Sequence, residues 1–129
     1  MMFLDADDEL PNFIAVHALA KARKAEADIV WMDVYSHIDK EVMYAFSPTG
    51  DFANSNFTKI VAKMANDSKK FFSFAGKLFR SELLQECVKK INVLAANRII
   101  LSEDLLIMSF LMELKPKIIN LKRLGYDVF

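Results

Sequence analysis

The sequence predicts one α/β domain in which a mixed sheet is flanked by helices. Short runs rich in β-branched and aromatic residues alternate with longer amphipathic segments, and this alternation is typical of strand-helix-strand units. The chain of 129 residues is long enough for a single domain, 1–129, with one core. Because 53% of the residues are apolar, burial can offset the entropy of folding.

The chain begins with an apolar run, Met1 to Leu4, which passes directly into the acid cluster Asp5-Ala6-Asp7-Asp8-Glu9. Such a short apolar run predicts a buried strand. Strand side chains alternate between faces, so Asp5 and Asp7 are expected to point the same way. Two carboxylates at a strand end suit a hard divalent cation, and the alternative is a solvated acidic turn that caps the next helix.

The following segments continue the alternation of helix and strand. Pro11 suits a first helical turn, and the spacing of apolar residues predicts an amphipathic helix to about Ala27. A strand is predicted over Ile29 to Ser36 and another over Val42 to Phe46, which the turn signal at 47–50 ends. Further on, we expect a loop over 51–57, a helix over 60–65, a helix within 77–90 that starts near Ser81, a helix over 103–114, a strand over 118–121 and a turn at Gly125 before a terminal segment.

Composition excludes several classes of function. Lys plus Arg (17) equals Asp plus Glu (17), so nothing indicates a general attraction to nucleic acid. The single cysteine, Cys87, cannot form an internal disulfide, and the two histidines stand at no metal-ligand spacing, so a zinc site is not expected. The longest apolar stretch, Leu105 to Met112, is too short to span a bilayer, and the expected location is cytoplasmic.

Four segments form a recognisable series. They are Phe3 to Leu10 with its D-x-D-D pattern, the continuation Ala27-Asp28-Ile29-Val30, the lysine and arginine segment Gly76 to Leu84, and Ile99 to Leu106 with a Glu-Asp pair at a helix start. In this order they resemble the family 2 glycosyltransferases with a GT-A-type fold, bacterial enzymes that build surface polysaccharides from nucleotide-sugars. Gly76 departs from the family, which often has Asn there.

The resemblance implies a partial GT-A-like sheet and a donor site near the acid cluster. The donor would be a nucleotide-sugar, most often a UDP-sugar. By position, Asp7 would be the direct ligand of Mg²⁺ or Mn²⁺, with Asp5 near the metal or the ribose and Asp8 auxiliary. Lys77 and Arg80 would contact the donor phosphates, although a solvated helix entry is the alternative for both.

The resemblance also implies an inverting sugar transfer to a saccharide acceptor. Asp104 would be the general base that takes the proton from the acceptor hydroxyl, and Glu103 would support it. From spacing alone, Ser102-Glu103-Asp104 is more simply an N-cap with acids favoured by the helix dipole. Such enzymes are cytoplasmic and can be peripheral to the inner membrane.

The family has a nucleotide-binding half before its D-x-D strand, whereas here the acid cluster starts at the fifth residue. That half would require on the order of 90 further residues. A strand over Met1 to Leu4 would then have an unpaired edge, which invites pairing with another chain. We therefore expect a homo-oligomer or a partner chain at the N-terminal strand.

Two other classes of function remain open. Phosphatases similar to the haloacid dehalogenases also have D-x-D at the end of a first strand and use Mg²⁺. Against this class, Glu9 stands where that family usually has Thr, and no later Gly-Asp-x-x-x-Asp segment occurs. The third possibility is a non-catalytic interaction module that folds without binding a donor.

Overall fold

The computed structural model describes residues 1–43, 73–94 and 103–129. In chain order these form α1 (Ile14–Ala25), β1 (Ile29–Ser36), β2 (Glu41–Met43), β3 (Lys77–Phe79), α2 (Ser81–Leu94), α3 (Glu103–Glu113) and β4 (Ile118–Val128). The predicted mixed α/β class is thereby confirmed. The predicted residues 44–46 of the second strand, the turn at 47–50, the loop over 51–57 and the helix over 60–65 lie outside the described residues.

Strand β1 is the centre of a mixed sheet of four strands. One edge of β1 pairs in parallel with β4, from Ile29 opposite Ile118 to Ser36 opposite Val128. Its other edge is shared by two short antiparallel strands, β3 beside the first three residues and β2 beside the last three. The sheet is therefore three strands wide at Ile29 to Trp31 and again at Val34 to Ser36.

Helices cover both faces of this sheet, and β1 contributes buried side chains to each. Ile29 and Trp31 pack on the side of α2 and α3, whereas Val30 and Met32 pack on the side of α1. A strand that is buried on both faces requires such a continuous apolar run. The α2 and α3 side also buries Phe79, Leu84, Cys87, Met108, Leu111, Met112 and Ile118, and the α1 side buries Ile14, Ala18 and Ala27.

The helix predictions agree with the structure apart from their ends. Helix α2 starts at Ser81 as predicted, and α3 covers nearly the whole of the predicted segment. Helix α1 starts later than predicted, because Phe13 has a left-handed backbone (φ 62°) that ends the preceding turn. Within the described ranges, no helix is both long and apolar enough to cross a membrane.

The prediction of a buried strand over Met1 to Leu4 is wrong. Met1 exchanges two backbone hydrogen bonds with Phe79, and Met2 forms an antiparallel bridge to Leu78 of β3, but Phe3 and Leu4 are exposed. The clustered carboxylates that follow favour solvent and a turn over an extended ladder. The segment therefore lies at the outer edge of β3 and does not form the first strand of a strand-helix-strand unit.

The predicted turn at Gly125 is also wrong, because β4 continues through it to Val128. Glycine allows β4 to approach β1 closely at this position, because a Cβ at position 125 would lie only 2.3 Å from Cβ of Met32. The register between β1 and β4 shifts on both sides of Asp33, so β4 bulges where it passes Met32. Glycine inside a strand is typical of such a bulge.

We predict that Gly125→Ala lowers the free energy of unfolding by about 1–3 kcal/mol, because the new methyl group overpacks against Met32. Urea unfolding followed by circular dichroism measures this loss. The control is Leu124→Ala, a truncation of the half-exposed neighbouring side chain, which should cost less. Equal stability of Gly125→Ala and the unmodified chain would contradict the overpacking.

Candidate functional site

The acid cluster forms a turn whose two flanks are fixed to opposite edges of the sheet. The backbone N–H of Asp8 donates to the carbonyl of Asp5 across 3.2 Å. On one flank Met2 bridges to β3, and on the other Glu9 and Asp127 of β4 exchange two backbone hydrogen bonds of 3.0 and 2.9 Å. The expected placement of Asp5 and Asp7 on one side of a strand is therefore wrong, because both belong to this acid turn (residues 5–9).

Tyr126 of β4 holds the acid turn through hydrogen bonds of its hydroxyl group. Its ring is buried in β4, and its hydroxyl oxygen accepts the N–H of Asp5 at 3.0 Å. Burial, together with the nearby carboxylates of Asp8 and Asp5, raises the pKa of Tyr126 to about 12. The phenol therefore keeps its proton at neutral pH and bonds to the carboxylate of Asp8.

Asp8 has a second support at the end of β4. Its Oδ1 accepts the backbone N–H of Phe129 at 3.1 Å, and its side chain is the partly buried one in the turn. Asp5 and Asp7 are exposed. Asp8 is thus engaged in holding the turn, whereas Asp5 and Asp7 present their carboxylates to solvent.

The acid turn has the donor chemistry of a Mg²⁺ or Mn²⁺ site. Mg²⁺ is commonly held by one or two protein carboxylates and completes its coordination with substrate phosphates and water. Asp5 and Asp7 fit that requirement. Across the three described ranges, no group of three or more His, Cys, Asp or Glu side chains could hold a metal, so an ion here would need oxygen ligands from a substrate or water.

Lys77 of β3 is completely buried. Its ammonium lies 5.0 Å from the centroid of the Trp31 ring and donates to the backbone carbonyl of Ser73. Burial lowers the pKa of Lys77 to about 7, and the charge of Asp104 opposes part of that shift. A lysine in this state changes its charge near neutral pH, which is a common property of functional sites.

Asp104 and Glu103 begin helix α3. Asp104 is half-buried and close enough to Lys77 for its charge to act on the lysine. The predicted general base thus lies within electrostatic range of one predicted phosphate-binding residue. Since Lys77 lies under Trp31 and is 0% exposed, its position suits an interaction with Asp104 better than one with a donor phosphate.

Aromatic contacts connect the acid turn to this pair. Phe3, two residues before Asp5, stacks on Phe74 with ring centroids 4.6 Å apart, and it meets Phe79 of β3 edge to face at 6.0 Å. Phe74 follows Ser73, whose carbonyl accepts the ammonium of Lys77. The segment before the acid turn and Lys77 are therefore connected through these aromatic rings and the backbone at Ser73.

Arg80 lies beside Asp28, just before the start of β1, three residues after Lys77. Its guanidinium is 3.2 Å from Oδ1 of Asp28, and Oδ2 of Asp28 accepts the N–H of Lys117 at 2.7 Å. Arg80 lines an open groove of about 940 Å³ between the end of α1 and the start of α2. The structure therefore brings Lys77 to Asp104 but places Arg80 in an ion pair apart from them.

Sequence reasoning missed three residues that shape the site, namely Trp31, Ser73 and Tyr126. Trp31 lies in the core, and its ring also contacts the ammonium of Lys77. The sequence did contain one indication that Lys77 is buried. It stands in the apolar strand segment Lys77-Leu78-Phe79, and the alternation of side chains along a strand puts it on the same face as Phe79.

Models of protein families do not match this chain, and neither curated proteins nor solved structures give a significant match. The assignment to a glycosyltransferase family, and the roles that it implies for the site residues, therefore stay predictions.

We predict that Lys77→Met removes a pH dependence of stability between pH 7 and 10. The unfolded lysine binds a proton below about pH 10.5, whereas the folded one does so only below about 7. In that window the unfolded state binds more protons, so the free energy of unfolding of the unmodified chain should rise with pH, by up to about 1.4 kcal/mol per unit from this group.

The measurement is urea unfolding of both chains at several pH values, with the difference between them plotted against pH. Lys89→Met, which removes an exposed lysine on α2, is the control and should leave the slope unchanged. Parallel curves for Lys77→Met and the unmodified chain would show that Lys77 titrates normally.

Proposed function

We propose that this chain is the metal-binding and acceptor side of a GT-A-like glycosyltransferase, which transfers a sugar with inversion from a nucleotide-sugar to a saccharide acceptor in surface polysaccharide synthesis. The main support is that the charge of Asp104, at the start of α3, acts on the buried Lys77 of β3, the strand that the N-terminal segment borders at Met2. A carboxylate within electrostatic range of a buried lysine, together with the exposed carboxylates of the acid turn, suits this chemistry.

On the donor side, Asp7 and Asp5 would hold Mg²⁺ or Mn²⁺, and Asp8 would keep the turn in place through Tyr126 and Phe129. Such an ion, when bound, neutralises charge that develops on the leaving diphosphate. The nucleotide is most simply UDP, as the resemblance implies. Arg80 is paired with Asp28 and has no part in this proposal.

On the acceptor side, Asp104 takes the proton of an acceptor hydroxyl. The oxygen then forms a bond to the anomeric carbon while the bond from that carbon to the diphosphate oxygen breaks, and a single displacement of this kind inverts the configuration. When protonated, Lys77 places a buried positive charge within electrostatic range of Asp104 on this acceptor side. Glu103, the preceding residue, would support it.

The first test is calorimetric titration of the chain with UDP in the presence of Mn²⁺. We expect heat of binding that disappears with EDTA and with Asp7→Asn, because both changes remove the ion that links the turn to the diphosphate. Glu86→Gln, an exposed carboxylate on α2, is the matched control and should bind normally. No heat at millimolar UDP would leave only the non-catalytic module.

The second test separates catalysis from binding. In an assay of UDP release from a panel of UDP-sugars with oligosaccharide acceptors, Asp104→Asn should lower the turnover number by about 10² to 10⁴ while UDP binding with Mn²⁺ is kept. If the chain instead hydrolyses a small phosphoester with Mg²⁺, and Asp5→Asn abolishes that hydrolysis, the phosphatase interpretation replaces this one.

A further inference from the structure

Helix α1 carries a second apolar side that points away from the sheet. Its inner side buries Ile14 and Ala18, whereas Phe13, Val16 and Leu19 are exposed by 76%, 66% and 43%. Val16 and Leu19, three residues apart, lie next to each other on the helix surface, and Leu19 is also at the edge of the groove beside α2. Phe13, the residue before the helix, extends this apolar stripe at its start. A contiguous exposed apolar stripe of this kind is typical of an interaction surface.

Phe13 adds a second indication. It has φ 62° at the start of α1, a left-handed backbone that is unfavourable for a bulky residue. An aromatic side chain also lacks the acceptor that would cap the helix, and solvent covers most of this ring. Phe13 therefore contributes little to the stability of the isolated chain, and strain of this kind concentrates at functional surfaces.

The charges at the two ends of this stripe are opposite. The acid turn, with the exposed residues Asp7 and Glu9, lies just before α1. The last turn of α1 carries Arg23 and Lys24, both exposed. A two-fold axis through the middle of the stripe, between Val16 and Leu19, would place the acid end of one copy against the basic end of the other, and would do so twice.

We propose that the outward side of α1 is a docking surface for a second copy of this chain, packed antiparallel. The apolar stripes of the two copies then cover each other, and the two acid-base contacts set their direction. The antiparallel arrangement also aligns the helix dipoles favourably. A patch of three exposed apolar side chains with a charged group of residues at each end suits weak association, with a dissociation constant on the order of 10–100 µM.

This interface differs from the one expected at the N-terminal strand. Met1 and Met2 pair with the short strand β3 of the same chain, whereas the α1 stripe has both an apolar centre and complementary ends. The proposal does not depend on a glycosyltransferase activity, because its test measures only the association of the chain with itself.

The test is sedimentation velocity in low salt with EDTA, over concentrations from well below to well above the expected dissociation constant. As the concentration increases, we expect the sedimenting mass to rise from that of one chain, 14.7 kDa, to that of two chains. Val16→Asp and, independently, Leu19→Ser should weaken association at least tenfold, because each places a polar group in the apolar centre. The control is Ile38→Asp, which changes a similarly exposed apolar residue (73%) away from α1 and should still dimerise.

A charge exchange tests the antiparallel geometry. One variant carries Asp7→Lys with Glu9→Lys, and the other carries Arg23→Glu with Lys24→Glu. Each alone should sediment as a monomer, because like charges then meet at both ends, whereas an equal mixture should form heterodimers. Circular dichroism and urea unfolding check that every variant is folded.

Three results would overturn the proposal. They are a monomer at every concentration, dimers that Val16→Asp and Leu19→Ser leave unchanged, and a mixture of charge variants that stays monomeric while the unmodified chain dimerises. A monomer that binds anionic phospholipid vesicles, and loses this binding with Val16→Asp, would assign the stripe to a lipid surface instead.

Discussion

Burial of β1 on both faces is the constraint on which the rest of the described structure depends. Ile29, Val30 and Trp31 are each 0% exposed, and successive side chains enter opposite cores. Neither helical layer can be removed without exposing half of this strand. The strands that flank β1 also carry the functional groups, because Lys77 lies opposite Trp31 and Tyr126 lies opposite Val34.

Lys77 is the most costly residue in this arrangement. Burying an ammonium group costs several kcal/mol, and a cation–π contact with one ring returns only about 1–2 kcal/mol. Methionine or leucine would fill the same space without this cost. A chain that keeps a lysine on Trp31, within electrostatic range of Asp104, gains a charge that can be switched near neutral pH, which is a common property of functional sites.

Local patterns sufficed to predict the elements whose neighbours in sequence determine them. The run Ile29 to Ser36 and the helix start at Ser81 are encoded by composition and spacing within a few residues. Two features depended on distant residues and could not be predicted in this way. Gly125 looks like a turn until Met32 is known to lie against it, and the segment at Met2 looks like a strand until its single partner, Leu78, is known.

The candidate site likewise combines features that local sequence predicts with features that depend on distant residues. The acid cluster and the Glu-Asp pair were visible as candidates, but the effect of the Asp104 charge on Lys77 depends on residues that are distant in sequence. Arg80 is close to Lys77 in sequence, but its side chain goes to a different partner. The chain changes from strand to helix between Phe79 and Ser81, which directs Arg80 to Asp28 while Lys77 enters the core.

The acid turn connects the two proposals through charge. The bonds that hold it come from neutral groups, the N–H of Phe129 and the hydroxyl of Tyr126, and neither compensates the negative charge of the exposed Asp7 and Glu9. That charge favours a cation from outside the chain, either a divalent ion or the basic end of a second α1. Both cations would use Asp7, so a copy docked at the turn and an ion held there would compete. Since linkage is reciprocal, a donor that recruits the ion would then weaken the dimer, and the assembly would respond to the substrate of the site.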